Sequence, residues 1–227
     1  MMDTKSSTSD TPDIPYYELR YTTNNNDVIE LSSSIIDTYD VISNVYKNNQ
    51  GIITFENDII HLEGEIFNNK YNLTSVIIPN SVTTIGGAAF RGCNLLTSVN
   101  IPNGVTEIRW STFKNCSSLT SIIIPNSVTS IREEAFENCT SLTSITIPSG
   151  VTNIGYDAFR SCESLISITI PNSVTEIGNN CFTNCNSLNN IIFEGTIDEW
   201  NKIIKGYDLN NGIPATVVHC TDGDVEI

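Results

Sequence analysis

Histidine, basic residues and long apolar runs are all scarce in this chain of 227 residues. His61 and His219 are the only imidazoles, and no H-E-x-x-H, G-x-S-x-G or Walker-type glycine loop occurs. Zinc hydrolysis, acyl transfer and nucleotide binding commonly rest on such patterns, so no catalytic residue, metal or cofactor is expected. Both histidines read as structural. Eleven Lys and Arg face 26 Asp and Glu, a net charge of −15. Such a surface disfavours nucleic-acid backbones and anionic membranes as partners, while suiting solubility or a basic partner. No segment reaches the ~20 apolar residues of a membrane span. Met1 to Pro15 also lacks the apolar core of about 7–15 residues that marks a secretory leader. Asp222-Gly-Asp224 has none of the later ligands of a calcium loop and reads as a turn.

Against these absences stands one regularity. Phe67, Phe90, Phe113, Phe136, Phe159 and Phe182 follow one another at intervals of 23 residues. Leu73, Leu96, Leu119, Leu142, Leu165 and Leu188 keep the same step. So do Val76, Val99, Ile122, Ile145, Ile168 and Ile191, and the column from Ile78 to Phe193. Further columns run from Val82 to Ile197 and from Ile85 to Trp200. Pro79, Pro102, Pro125, Pro148 and Pro171 repeat as well, with Glu194 where a sixth would fall. A fixed period of this size is the signature of a solenoid, whose units bury their apolar faces only by stacking.

One unit shows how a coil should fold. Leu119-Thr-Ser-Ile122-Ile-Ile124 is short and β-branched, with Ile122 and Ile124 on one side of a strand and Ile123 on the other. Pro125 ends the strand because it donates no ladder hydrogen bond, and Asn126-Ser127 turns the chain. Val128 to Ile131 is a second extended stretch, and Glu133 to Cys139 suits a helical turn or two. Stacked one coil per strand spacing, about 4.7–4.9 Å, equal columns become inward ladders.

The consensus L-x-x-I-x-I-P-N-x-V-T-x-I-x-x-x-A-F-x-x-C resembles the BspA-like, or Treponema pallidum-type, leucine-rich repeats. It covers about Leu73 to Phe193, with a partial first coil from Phe55 in which Lys70 replaces the cysteine. The segments Gly195 to Trp200 and Val218 to Asp224 are similar to those that follow such arrays in bacterial members. The resemblance implies a curved right-handed solenoid of 23-residue repeats, with short parallel strands, short helical turns and N- and C-terminal caps. It also implies adhesion or protein recognition at a cell surface. The residues alone leave the cytosol, unconventional export or carriage on another particle such as a virion open.

Exposed stack ends need covering. Residues 1–15 read as a flexible lead-in and 16–52 as an N-terminal cap. Within that cap, Tyr16 to Tyr21 and Val28 to Leu31 form a hairpin across Asn24-Asn-Asn-Asp27. The array then spans 53–195, and 196–227 is the C-terminal cap. There Thr196-Ile-Asp-Glu199 spells a capping box for a helix over about Ile197 to Ile204, with Trp200 and Ile203 inward. Val217 to Cys220 and Val225 to Ile227 form a closing hairpin through Asp222-Gly223.

Cys93, Cys116, Cys139, Cys162 and Cys185 supply one thiol per coil, with Cys181 and Cys220 outside the column. Their spacing lacks the close pairs of a zinc module. Five in a row cannot all pair, so they read first as small buried hydrophobes, with a disulfide or metal as the alternative. Asn115-Cys-Ser117 and Asn138-Cys-Thr140 match a glycosylation pattern only as by-products of the repeat.

What is free to act is the skin. Between the inward columns of the first strand lie Ile77, Asn100, Ile123, Thr146, Thr169 and Ile192, flanked by Ser75, Ser98, Ser121, Ser144 and Ser167. They form a neutral strip, on the concave face if the resemblance holds, which is the expected binding face. Charges collect instead on the turn side, at Arg91, Lys114, Arg132, Glu133, Glu134, Glu137, Asp157 and Arg160. The expected function is non-enzymatic recognition of a protein or glycoprotein, with adhesion as one use. The alternative is an assembly or spacer component, for example of a phage particle.

Overall fold

The computed structural model describes residues 14–227. The lead-in expected over residues 1–15 lies outside them but for its last two residues. The chain opens with β1 (Glu18–Thr23), α1 (Ser33–Tyr39), β2 (Val41–Lys47) and β3 (Gln50–Phe55). Short strands follow, two to most coils. They are β4 (His61–Leu62), β5 (Leu73–Ile77), β6 (Thr84–Ile85), β7 (Ser98–Val99), β8 (Glu107–Ile108), β9 (Ser130–Ile131), β10 (Ser144–Thr146), β11 (Asn153–Ile154), β12 (Ser167–Ile170), β13 (Glu176–Ile177) and β14 (Asn190–Phe193). The chain closes with α2 (Ile197–Lys202), β15 (Ile204–Lys205), β16 (Val217–Cys220) and β17 (Gly223–Glu226).

Successive coils stack in parallel register to give a β-solenoid of about 7 turns. First strands pair with first strands, as in Ser144↔Ser167↔Asn190, and second strands with second strands, as in Ser130↔Asn153↔Glu176. Between them runs one continuous core. The six ladder phenylalanines are fully buried and stacked, with ring centroids 5.4–5.8 Å apart and planes within 1–17° of parallel. Each ladder cysteine is buried, and its thiol donates to the carbonyl of a phenylalanine in the coil before: Cys116 to Phe90, Cys139 to Phe113, Cys162 to Phe136, at 3.2 Å. All seven cysteines are free thiols. The prolines act as expected. The N–H three residues later turns back to each proline carbonyl, Val128 to Pro125 at 3.0 Å for example.

The segment from Glu133 to Cys139 is not the short helix its composition suggests. Two residues of every coil stand in the left-handed region. One column is Glu65, Ala88, Ser111, Glu134, Asp157, Asn180 and Asp208, with φ from 52° to 63°. The other is Asn69, Gly92, Asn115, Asn138, Ser161, Asn184 and Gly212, with φ from 57° to 75°. They bend the chain into linked turns. Alternate N–H groups then close four-residue turns and reach the next coil: Arg91 donates to Ala88, while Ala88, Phe90 and Gly92 donate to Trp110, Thr112 and Lys114. Those inter-coil bonds offset backbone strain of about 1 kcal/mol or more per non-glycine residue. The Asn-Cys-Ser/Thr steps have their reason here, because asparagine tolerates the left-handed position.

At the N-terminal end the hairpin expected across Asn24–Asp27 does not form. β1 pairs instead with β3 on one side and β5 on the other, both antiparallel, in the sheet order β2-β3-β1-β5-β7. The hairpin is β2–β3, joined by Asn48 and Asn49, both at positive φ as its two-residue turn requires. Val28 to Leu31 is held without a ladder: Ile29 N–H donates to the Tyr21 hydroxyl, and Asn44 Nδ2 donates to the Ile29 carbonyl. At the other end Thr196 and Glu199 form the reciprocal capping box of α2. The helix ends two residues before the expected Ile204, while Trp200 and Ile203 are buried. β16 and β17 form an antiparallel pair on the edge of β14.

Candidate interaction surface

The outward residues of the first strands lie in one line, and strand register extends that line into both ends. Ile77 faces Arg20 of β1, which faces Ile52 of β3, which faces Val45 of β2. Thr146, Thr169 and Ile192 face one another in turn, followed by His219 of β16 and Asp224 of β17. The strip therefore changes character at its ends. Arg20 is held by Glu18 at 2.9 Å, and His219 Nδ1 lies 2.8 Å from Asp224 Oδ1. Sequence reasoning did not place Arg20, Ile52, Val45, His219 and Asp224 here, because only non-local pairing brings them to the line.

The six expected residues are not equivalent. Asn100 is turned sideways: its Oδ1 accepts from Ile78 N–H at 2.7 Å and its Nδ2 donates to Ile78 carbonyl at 2.8 Å. The side chain continues the ladder where β7 stops, which removes Asn100 from the freely presented set. Ile77 and Thr169 are half-buried, Thr146 is exposed, and Ile192 lies at the rim of a recess of about 480 Å³ shared with His219 and Thr221. Ile123 is 86% exposed, the highest value of any large apolar residue described. It sits where the first-strand ladder is interrupted between β7 and β10, beside a shallow recess of about 270 Å³ lined by Ser121, Ser144 and Thr146.

The turn side carries most of the ionic chemistry. Lys114 Nζ reaches Glu134 at 2.8 Å and Glu137 at 2.7 Å, with Ser111 also donating to Glu134. Burial alone would lower the pKa of Lys114 and raise that of Glu134. Their mutual hydrogen bonds, with those to Glu137 and Ser111, outweigh it, so Lys114 is raised and Glu134 lowered. Burial holds the ladder thiols protonated, with Cys93 and Cys185 pushed up to about 12. Among the described residues no group of three or more His, Cys, Asp or Glu side chains gathers as a metal site. His61 lies in β4 and His219 in β16, at opposite ends of the stack.

Comparison with known proteins agrees with this geometry. The profile of the BspA type leucine rich repeat region matches six copies, over residues 25–132 and 106–204. The chain is similar to the crystal structure of a leucine rich repeat protein of T. pallidum, with 28% identity and a TM-score of 0.57, covering 73% of this chain and 68% of that one. A leucine-rich repeat protein from Bacteroides ovatus aligns at 28% identity and TM-score 0.56, over 76% of this chain and 48% of its own length. One from Eubacterium ventriosum aligns at 27% and 0.51, over 55% and 34%. No curated protein matches the sequence. With its repeats in register and the family profile spanning most of its length, this chain belongs to the BspA-type leucine-rich repeat family.

Proposed function

We propose that this chain is a non-enzymatic module that recognises a protein or glycoprotein through the neutral strip of its first strands, with adhesion to another cell as one use. The observation that carries this reading is the strip itself. Its line of outward positions continues through both terminal sheets, and a bare isoleucine, Ile123, stands near its centre. Flat, rigid, weakly charged surfaces with an apolar centre suit protein partners, whose binding energy concentrates in a few desolvated side chains. The family supports the same class of role, since such repeats typically serve as binding modules. No helix among the described residues is long and apolar enough to cross a membrane.

The test is capture of extracellular-matrix and host-surface proteins on the immobilised chain, repeated with Ile123→Asp. A retained ligand whose affinity falls at least about tenfold with the variant is expected. No ligand, or one indifferent to Ile123, would count against the strip. An assembly or spacer role is the second reading, favoured by the outermost positions of β2 and β17 in their sheets. A defined oligomer in light scattering would support it.

A further inference from the structure

A second face of the solenoid carries a different chemistry. Just after each second strand, one residue per coil offers its carbonyl to the coil before. Ala88 N–H donates to Trp110, Ser111 to Glu133, Glu134 to Tyr156, Asp157 to Asn179 and Asn180 to Tyr207, all at 2.9–3.0 Å. Equivalent hydrogen bonds put these acceptors in one column, which follows Gly87, the acceptor from Glu65, and reads in order as Trp110, Glu133, Tyr156, Asn179 and Tyr207. Aromatic and polar residues alternate along it.

Tyr207 reaches this register although α2 lengthens its coil, because β15 pairs with β13. The three rings are about half to two-thirds exposed: Trp110 49%, Tyr156 48% and Tyr207 66%. The Trp110 indole lies across Gly87 of the preceding coil, where any Cβ would collide with it. That glycine lets the ring lie low over the coil. Beside Tyr156 a recess of about 360 Å³ is lined by Asn153, Glu176, Asn179 and Lys205. Asn153 Nδ2 donates to Glu176 Oε2 at 2.9 Å. Among the described residues this leaves Asn153 Oδ1 and Glu176 Oε1 available to a ligand.

We propose that this column binds a neutral, extended β-linked oligosaccharide, with alternate sugar rings lying on Trp110, Tyr156 and Tyr207. Pyranose faces carry axial C–H groups that stack on aromatic rings, while equatorial hydroxyls at the edges need planar acceptors and donors. Both sets stand here on a rigid scaffold. Successive rings are two coils apart, about 9–10 Å at the spacing of paired strands, close to the length of a disaccharide unit in an extended β-1,4 chain. A coiled α-linked glucan falls out of that register. The net charge of −15, with Glu133 and Glu176 in and beside the column, repels anionic glycans and leaves neutral ones.

The test uses the full chain with cellohexaose, fully N-acetylated chitohexaose and β-1,4-mannohexaose as probes, and maltohexaose as the α-linked control. Trp200 is buried, so Trp110 dominates any change in indole fluorescence on binding. Calorimetry supplies the affinity. At least one β-linked hexasaccharide should bind and perturb the emission, and maltohexaose should bind at least about tenfold more weakly. Trp110→Ala and Tyr156→Ala should each weaken binding about tenfold or more. The Tyr156→Ala variant retains Trp110 and serves as the second probe if the first fails to fold by circular dichroism. No response to any β-linked probe at millimolar concentration would overturn the proposal, as would equal binding of maltohexaose. Binding unchanged in both variants, or capture of proteins alone through this face, would also overturn it. Ile123→Asp should leave saccharide binding intact, which separates this face from the first-strand strip.

Discussion

Replacing Phe136 by alanine should reveal how much of the stability lies in stacking between coils. Its ring is fully buried and lies 5.4 Å from both Phe113 and Phe159, with interplanar angles of 13° and 1°. Phe→Ala in a core costs about 3–5 kcal/mol through lost transfer energy and the cavity left behind. The paired aromatic contacts place this site toward the upper end of that range. Because the coil above and the coil below both lose a neighbour, relaxation into the hole requires two coils to shift at once. We expect a loss of about 4 kcal/mol, measured by urea unfolding at constant m-value. In thermal scans that is a fall of roughly 8–16 °C for a chain of this size. Phe136→Leu, which refills much of the volume, should cost about 1–2 kcal/mol. A loss below about 1 kcal/mol for the alanine variant would refute the reasoning, since a ring in a loosely packed globule edge could be removed that cheaply.

Two further outcomes follow from the polar groups. A thiol reagent should titrate about one fast-reacting cysteine in the native protein and all seven after denaturation, since six are buried and only Cys220 is partly exposed. Lys114→Met should cost about 1–3 kcal/mol at neutral pH, because it leaves the largely buried Glu137 and the depressed Glu134 carboxylate without their cation. Glu134 has its pKa lowered by folding, so its share of stability is present above the unfolded carboxylate value and lost as pH falls through the folded one. Lys114 has its pKa raised, so its share persists through neutral pH and is lost only as pH rises through its folded value. The gap between wild type and variant in urea unfolding should therefore narrow as pH falls below the unfolded carboxylate value and through the lowered Glu134 one, and a gap independent of pH would refute the ion-pair account.

The core was legible because apolar columns are what the solenoid repeats. Phe136 stacks on Phe113 and Phe159, and Ile145 lies opposite Ile168, so identity and period carry the contact. The left-handed column through Ala88, Ser111, Glu134 and Asp157 was not legible, because those residues share no chemistry and only the backbone path unites them. The partner column did carry a signal in Asn115 and Asn138, whose tolerance of positive φ explains a repeat that looks like a modification site. At the N-terminal end Asn24–Asp27 has the composition of a hairpin turn, yet the chain prefers Asn48–Asn49, flanked by two longer β-branched strands. Of the strip, the positions of Ile123 and Thr146 followed from alternation alone. The sideways turn of Asn100 and the arrival of Arg20 and His219 depend on contacts between distant segments. The column of Trp110, Tyr156 and Tyr207 does not show as a period in the sequence, because α2 lengthens the coil between the last two.

Removing one whole coil, residues 119–141, tests the stacked-coil account most directly. Joining Ser118 to Leu142 preserves every column, so the shortened chain should fold with one cooperative transition. Its solution-scattering length should decrease by about one strand spacing, 4.7–4.9 Å. A cut of half a coil, residues 119–130, shifts every column beyond it and should leave the chain unfolded or aggregated. If the whole-coil deletion were the one that collapsed, or the two deletions behaved alike, the coils could not be the interchangeable units on which this account rests.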